Sequence, residues 1–173
     1  MKKTFLVWYL GGVIFYLITI YWIVHVTLIG LILLVLYLSL YFGVFGMLIR
    51  KVSNVSEVSR VSGIVFLFIA PAMWVSLEYI RSHILSGFGW ALLGYSQTLN
   101  LPLIQISDIT GAYGVSYLVV LVNVLVYLVV EEGLPKRMLE AVVVFFVLLI
   151  SFSYGIYRLN PSAERYVASG GNP

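Results

Sequence analysis

The sequence predicts an all-α membrane protein with about five transmembrane helices and a re-entrant or interfacial loop between the third and the fourth. Two observations lead to this fold class. Of the 173 residues, 62% are hydrophobic and only 10% are charged, whereas a soluble domain carries about 25% charged residues. The apolar residues are also gathered into separate runs, each near the roughly 20 residues that a helix needs to cross the hydrocarbon core.

Composition also narrows the functional classes. Cysteine is absent, which removes disulfides, thiolate metal sites and a cysteine nucleophile from these residues. The two histidines, His25 and His83, are far apart in the chain, so we expect neither a metal site nor a cofactor. The net charge is +3 and the basic residues are scattered, unlike the concentrated basic surface of a nucleic-acid-binding protein.

Five spans follow one another along the chain. We expect the first to remain uncleaved, because its apolar stretch is too long for a signal peptide and no small-residue cleavage site follows. A polar loop, residues 50–60, separates the second from the third, which contains Pro71 and should be kinked there. The spans cover residues 4–25, 28–49, 62–81, 113–130 and 139–157, in a transmembrane domain of residues 1–159 followed by a short polar tail, residues 160–173.

Small residues at helical spacing predict where the spans pack against one another. Ser39, Gly43 and Gly46 lie on the second span, and Gly111 and Gly114 lie at the start of the fourth. Such spacings let two backbones approach closely where lipid provides no hydrophobic drive for association. We therefore expect both groups to lie at helix–helix contacts.

Charge is scarce in the middle of the chain. Within residues 61–130 the charged side chains are Glu78, Arg81 and Asp108. We expect Asp108 to cap a loop or a helix, and Asn123, in the middle of the fourth span, to be a buried interhelical hydrogen-bonding group. Unpaired charge in hydrocarbon is costly, so Glu78 and Arg81 need a compensating partner.

Glu78 and Arg81 lie three residues apart and therefore share one face of the third helix. Three interpretations remain open at this point. The two side chains could form an intrahelical ion pair that fixes the depth of the helix. They could instead line a polar notch that receives a phospholipid headgroup, with Arg81 at the phosphate, or their placement could be incidental.

Residues 82–112 are too apolar for a free loop in water and too often broken by glycine for another crossing. Irregular backbone at membrane depth is tolerated only where it is buried in protein or lines a cavity. We expect the aromatic residues of this loop at the membrane interface, and Gln97 either donating to a lipid or stabilising the loop backbone. The candidate lipid-facing site comprises Glu78, Arg81, Trp90, Tyr95 and Gln97.

The lysines and arginines predict the orientation. With alternating crossings, seven of them fall on one side of the membrane and three on the other. The positive-inside rule then places the N-terminus in the cytoplasm and the C-terminus outside it. The side with seven carries Lys2, Lys3, Arg50, Lys51, Arg60, Lys136 and Arg137, and the other carries Arg81, Arg158 and Arg165.

Four ordered motifs make the chain similar to the membrane portion of the bacterial apolipoprotein N-acyltransferases, over about residues 5–157. The pattern W-x-x-x-E-x-x-R is followed by a G-F-x-W segment, by L-G-Y-S-Q and by G-x-x-G-V-S. Gly89 stands where that family usually has proline, which should make the segment more flexible. These motifs are found at Trp74, Glu78 and Arg81, at Gly87 to Trp90, at Leu93 to Gln97 and at Gly111 to Ser116.

The resemblance implies a function in lipoprotein maturation at the outer face of the bacterial inner membrane. The family transfers an acyl chain from a phospholipid to the N-terminal amine of a lipoprotein, and its catalytic glutamate, lysine and cysteine belong to a nitrilase-like domain. We find no counterpart of that domain in these residues, and without a cysteine they cannot supply its nucleophile, so none of the family's catalytic residues is carried over. We expect the chain to be inactive alone, as a membrane fragment, a truncated frame or one half of a split enzyme whose nitrilase-like domain or chain is separate.

A second function class stays open, namely a non-catalytic membrane scaffold or a small transporter subunit. A transporter is expected to place polar residues near the middle of the membrane, usually on paired broken helices. In this sequence Asn123 is nearly alone at that depth. This argues against transport and leaves a scaffold possible.

Overall fold

The computed structural model describes residues 1–54, 63–84 and 87–160, and throughout these ranges the regular structure is helical. The predicted polar tail beyond residue 160 and most of the polar loop at residues 50–60 lie outside the described residues. Short 3₁₀ segments at Tyr21–His25, Leu93–Gln97 and Leu134–Arg137 connect longer elements. The α-helices are α1 Lys2–Thr19, α2 Leu28–Asn54, α3 Gly63–His83, α4 Leu101–Ile104, α5 Ser107–Glu132 and α6 Met138–Leu159.

The membrane fold class predicted from the sequence is confirmed. Within the described ranges, four helical stretches are long and apolar enough to cross a membrane, and the shorter α1 adds a fifth helix of 18 residues. The chain leaves α1 at Thr19, earlier than the predicted end at residue 25, because exposed Tyr21 and Trp22 open a 3₁₀ turn there. Aromatic residues at such a position are typical of a membrane interface. Because residues 20–24 are as apolar as the helix before them, hydropathy did not reveal where α1 ends.

Helices α1 and α2 form an antiparallel hairpin that packs through glycines. A Cβ added to Gly43 would lie 2.4 Å from the ring of Phe5, and one added to Gly46 would lie 2.2 Å from the indole of Trp8. Gly12 of α1 meets Phe42 of α2 in the same way, at 2.9 Å. The predicted packing role of Gly43 and Gly46 is therefore confirmed.

Helices α3, α5 and α6 surround a second core, which is joined to the hairpin by Trp74. The Trp74 ring meets Phe42 and Phe45 of α2 edge-on, with centroid separations of 4.8 and 5.0 Å. On its own side Trp74 packs in a cluster of buried aliphatic residues that includes Leu67 of α3 and Leu121 of α5. We call the end of the bundle that carries residues 87–106 the loop end, and the end that carries Met1 the N-terminal end.

Helix α5 differs from the prediction at its start. It begins at Ser107 and is broken at Gly111, which has a φ of 66° and a ψ of −176°. A Cβ at Gly111 would meet nothing within 4 Å, and Gly114 faces Thr110 of its own helix. The predicted packing role of this glycine pair is wrong, because Gly111 supplies a positive φ that other residues rarely adopt.

Two polar residues of α5 also differ from their predicted roles. Asp108 is not a cap; it accepts from the hydroxyl of Tyr154 at 2.8 Å and pairs with Nε of Arg158 at 3.0 Å, so it joins α5 to α6. Asn123 is exposed rather than buried, and its amide donates to the carbonyl of Val119 on its own helix at 2.8 Å. Sequence position alone could not distinguish these partners.

We expect Gly155→Ala to destabilise the loop end. A Cβ at this position would lie 1.7 Å from the carbonyl oxygen of Pro102, so α4 would have to move away from α6. Overpacking of this kind costs about 1–3 kcal/mol, which should lower the thermal unfolding midpoint of the detergent-purified protein. Gly11→Ala is the matched control because nothing lies within 4 Å of a Cβ there; equal midpoints for both variants would contradict the prediction.

Candidate functional site

The loop end begins with a tight reversal after α3. Gly87 has a φ of 73°, and its amide donates to the carbonyl of Ile84. The next amide, that of Phe88, donates to the carbonyl of Arg81 at 3.1 Å. A Cβ at Gly87 would lie 2.2 Å from the carbonyl oxygen of Ser82, so glycine is required where the chain turns back over α3.

Arg81 lies beneath this loop and holds its backbone. The side chain is only 1% exposed. Its two terminal nitrogens donate to the carbonyls of Trp90 at 2.9 Å and Ala91 at 3.4 Å. The guanidinium carbon also lies 5.7 Å from the ring centre of Tyr16 and 5.9 Å from that of Phe88, within the range of favourable cation–π contact.

Glu78 binds the same loop from one turn earlier. It is 3% exposed, and its Oε1 accepts from the amide of Leu93 at 2.8 Å. Glu78 and Arg81 do not form an ion pair with each other, although they share a helix face. Each instead binds main-chain groups of the loop, the acid an N–H and the base two carbonyls.

The L-G-Y-S-Q segment is anchored separately, on α5. The amide of Gly94 donates to the hydroxyl of buried Ser116 at 2.8 Å. A Cβ at Gly94 would lie 2.6 Å from the carbonyl oxygen of Ala112, so the segment approaches the helix backbone closely. Sequence reasoning missed this role of Ser116. The available signal was that Gly94 and Ser116 each belong to one of the motifs quoted above.

The other predicted site residues lie on the outer surface of the loop. Trp90 and Tyr95 are 55% and 46% exposed. The Trp90 ring lies 5.2 Å from that of Trp22, which follows α1. Gln97 is half-buried, donates to the hydroxyl of Ser96 at 3.2 Å and accepts from Asn100 at 3.4 Å.

The five predicted residues therefore form two layers rather than one pocket. Glu78 and Arg81 form a buried layer that binds loop backbone, and Trp90, Tyr95 and Gln97 form a surface layer above it. The buried layer satisfies polar main-chain groups of an irregular segment, as is necessary away from water. The surface layer presents aromatic rings with polar edges, which suit the boundary between headgroups and acyl chains.

Comparison with known proteins identifies a family whose N-terminal domain matches most of the chain. The family model for the apolipoprotein N-acyltransferase N-terminal domain matches residues 1–125. The apolipoprotein N-acyltransferase of Geobacter metallireducens is 41% identical over 116 residues, which is 64% of this chain and 21% of that protein. Those of Coxiella burnetii and Rickettsia prowazekii are 35% and 31% identical, over 51% and 54% of this chain and 18% and 19% of theirs.

These matches cover only a part of each relative. The chain spans about a fifth of the length of these relatives. No solved structure matches the chain. The similarity therefore concerns the N-terminal membrane domain, which contains Glu78, Arg81, Trp90 and the segment from Leu93 to Gln97.

We expect Glu78→Ala to loosen the loop at Leu93. The substitution leaves the Leu93 amide without its carboxylate acceptor, and hydrogen bonds to charged groups contribute about 1.5–3 kcal/mol. Amide hydrogen exchange at Leu93 should accelerate by roughly 10- to 100-fold, the factor to which such an energy corresponds. Glu78→Gln retains an acceptor oxygen but loses the charge, so exchange should accelerate less than in Glu78→Ala. Unchanged exchange in Glu78→Ala would contradict this role.

We expect Ser116→Ala to destabilise the protein through the buried amide of Gly94. Leaving a buried donor without a partner costs about 1–3 kcal/mol, and the thermal unfolding midpoint should fall accordingly. Ser76→Ala is the control, because the Ser76 hydroxyl is exposed and donates only to the carbonyl of Ala72 on its own helix. The anchoring role is wrong if the two substitutions lower the midpoint equally.

Proposed function

Because the chain belongs to the apolipoprotein N-acyltransferase family through that family's N-terminal domain, we propose that it is the membrane part of an enzyme that transfers an acyl chain from a phospholipid to the N-terminus of a lipoprotein. The observation that carries this proposal is the way in which the loop of residues 87–106, which we call the braced loop, is held by side chains beneath it. Glu78, Arg81 and Ser116 hold its backbone at three places. A loop held in this way can present substrate-facing side chains in a fixed geometry.

The two layers have different tasks in this proposal. Glu78 and Arg81 are positioning residues, because Arg81 is 1% exposed and its donors are already bound to loop carbonyls. Trp90, Tyr95 and Gln97 are the residues that face lipid. Trp90 and Tyr95 contact acyl chains with their rings and headgroups with their polar edges, and the amide of Gln97 is available to a lipid ester or phosphate once it leaves Ser96.

The charge distribution supports a location in the bacterial inner membrane with the loop end outward. The N-terminal end carries Lys2, Lys3, Arg50 and Lys51, as the positive-inside rule requires of a cytoplasmic face. The braced loop then lies at the outer leaflet, where a phospholipid donor and a membrane-anchored lipoprotein can meet. The substrates of the whole enzyme are, in this proposal, those two molecules.

The acyl-transfer chemistry belongs to a part of the enzyme that these residues do not include. The sequence contains no cysteine, and the family's thioester intermediate requires one. We propose a nitrilase-like domain or chain as the partner that supplies it, placed outside the membrane above the loop. The membrane domain holds this partner at the bilayer and admits the lipid to it.

We expect Trp90→Ala with Tyr95→Ala to lower lipid contact at the loop without unfolding the bundle, since both rings are exposed. The measurement is photocrosslinking to a phospholipid that carries a diazirine close to its headgroup, with the protein in vesicles and the labelled peptides mapped. Label in residues 87–106 should fall severalfold. Tyr157→Ala, which removes an exposed ring of α6 at the same end, should leave it unchanged.

Two outcomes would oppose the proposal. Equal labelling of the loop in the double variant and the control would show that the rings of Trp90 and Tyr95 do not make the lipid contact. Triacylated product from the purified chain, phospholipid and a diacylated lipopeptide would show that the chemistry resides in these residues. We expect no such product from the chain alone.

A further inference from the structure

A large apolar groove separates the α1–α2 hairpin from helices α3 and α5. Its volume is about 590 Å³, within the roughly 300–1,000 Å³ of sites that hold a small ligand. It extends from Leu93 in the loop to Thr4 and Arg50 at the N-terminal end. The groove therefore runs along much of the depth of the bundle, away from the exposed loop surface described above.

The wall of this groove is suited to hydrocarbon. Aromatic and aliphatic side chains supply most of it, including Phe42, Phe45 and Trp74. The amide of Asn123, which also lines the groove, donates to its own helix. An apolar lining of this extent gains dispersion contacts from a hydrocarbon occupant, and inside a bilayer the hydrocarbon at hand is an acyl chain.

The N-terminal end of the groove is cationic. Arg50 lines it and bonds the hydroxyl of Thr4, while Lys2, Lys3 and Lys51 lie on the same two helix ends. None of these four basic side chains forms an ion pair with the residues that the structure describes. Basic pockets between transmembrane helices at one membrane face are typical of sites for anionic lipid headgroups.

Among the residues that the structure describes, the carboxylates at this end of the bundle belong to other contacts. Glu132 and Glu140 both pair with Arg137, at 2.5 and 2.9 Å. Glu131 lies beside Tyr127, on the wall formed by α5, whereas Arg50 belongs to the wall formed by α2. The hairpin side of the groove therefore presents positive charge.

We propose that the groove is a binding site for an anionic phospholipid, with one acyl chain along Phe42, Phe45 and Trp74 and the headgroup at Arg50. The lipid comes from the leaflet that meets the N-terminus. The headgroup lies at the opposite end of the bundle from the exposed surface of the loop, although the groove extends as far as Leu93, so the site does not depend on the proposed acyl-transfer function. It fills the space between the hairpin and the rest of the bundle with a lipid instead of side chains.

Tryptophan fluorescence provides the test, because two of the four tryptophans line the groove. In a Trp22→Phe/Trp90→Phe protein, the remaining indoles are Trp8 and Trp74, and Trp74 is only 6% exposed. The protein is reconstituted in phosphatidylcholine vesicles with a small fraction of either phosphatidylglycerol or phosphatidylcholine brominated in its acyl chains. We expect brominated phosphatidylglycerol to quench at about fivefold lower mole fraction, the factor given by one basic residue near an anionic surface.

Two pairs of variants decide between this site and general attraction to the surface. Arg50→Gln should abolish the preference for phosphatidylglycerol, whereas Lys51→Gln, adjacent in sequence but outside the groove, should retain it. Asn123→Phe should reduce quenching by filling the groove, whereas Val126→Phe, on the exposed side of α5, should not. Arg50, Lys51 and Val126 are exposed, so their replacement leaves the packed core intact.

Three outcomes would overturn the proposal. Equal quenching by the two brominated lipids would mean that the groove does not select an anionic headgroup. Equal loss of preference in Arg50→Gln and Lys51→Gln would assign the effect to the summed charge of the surface. Quenching that is unchanged in Asn123→Phe would place the lipid outside the groove. Failure of the acyl-transfer proposal would leave each of these measurements unaffected.

Discussion

The need to hydrogen-bond irregular backbone away from water governs this structure. The chain between α3 and α5 is too apolar to leave the membrane boundary and too irregular to satisfy its own N–H and C=O groups. Glu78 and Arg81 meet that need from a single helix face, one accepting from Leu93 and the other donating to Trp90 and Ala91. Glu78 and Arg81 can be buried with their charges because each binds main-chain groups of the loop. Without these two side chains, the same main-chain groups would have no partner.

The glycine positions follow from the same constraint. A loop that must bond to the side chains beneath it has to approach the helices closely, and a Cβ at Gly94 or Gly155 would strike backbone carbonyls of the neighbouring element. Gly87 and Gly111 have a different task, because each supplies a positive φ at a change of direction. The glycines of this region therefore have two different roles. Some allow two backbones to approach closely, and others allow the chain to change direction.

The two proposals assign different tasks to the two ends of the bundle. Under the proposed function, the loop end presents lipid on a surface whose backbone is held from below, for chemistry supplied by the partner domain. The N-terminal end opens on a groove with a cationic rim, between two helix groups that meet at Trp74 and its aromatic partners on α2. Two buried clusters lie on either side of the groove; Phe42 of α2 packs against both, and Phe45 of α2 belongs to the cluster around α3 and α5. In our proposal an acyl chain packs along these rings.

Hydropathy and scarce charge are local properties, so the amino-acid sequence was enough to predict the membrane class and the approximate limits of the long helices. The lipid-facing role of the candidate site residues stays a prediction. The sequence could not determine partners. Asp108 was expected to be a cap and bonds α6, Asn123 was expected to bond between helices and bonds its own, and Glu78 with Arg81 grips a loop rather than each other. These contacts follow from the folded arrangement of the helices, since a hydrogen bond requires two groups within about 3 Å of each other. Spacing along one helix does not say which chain segment arrives there.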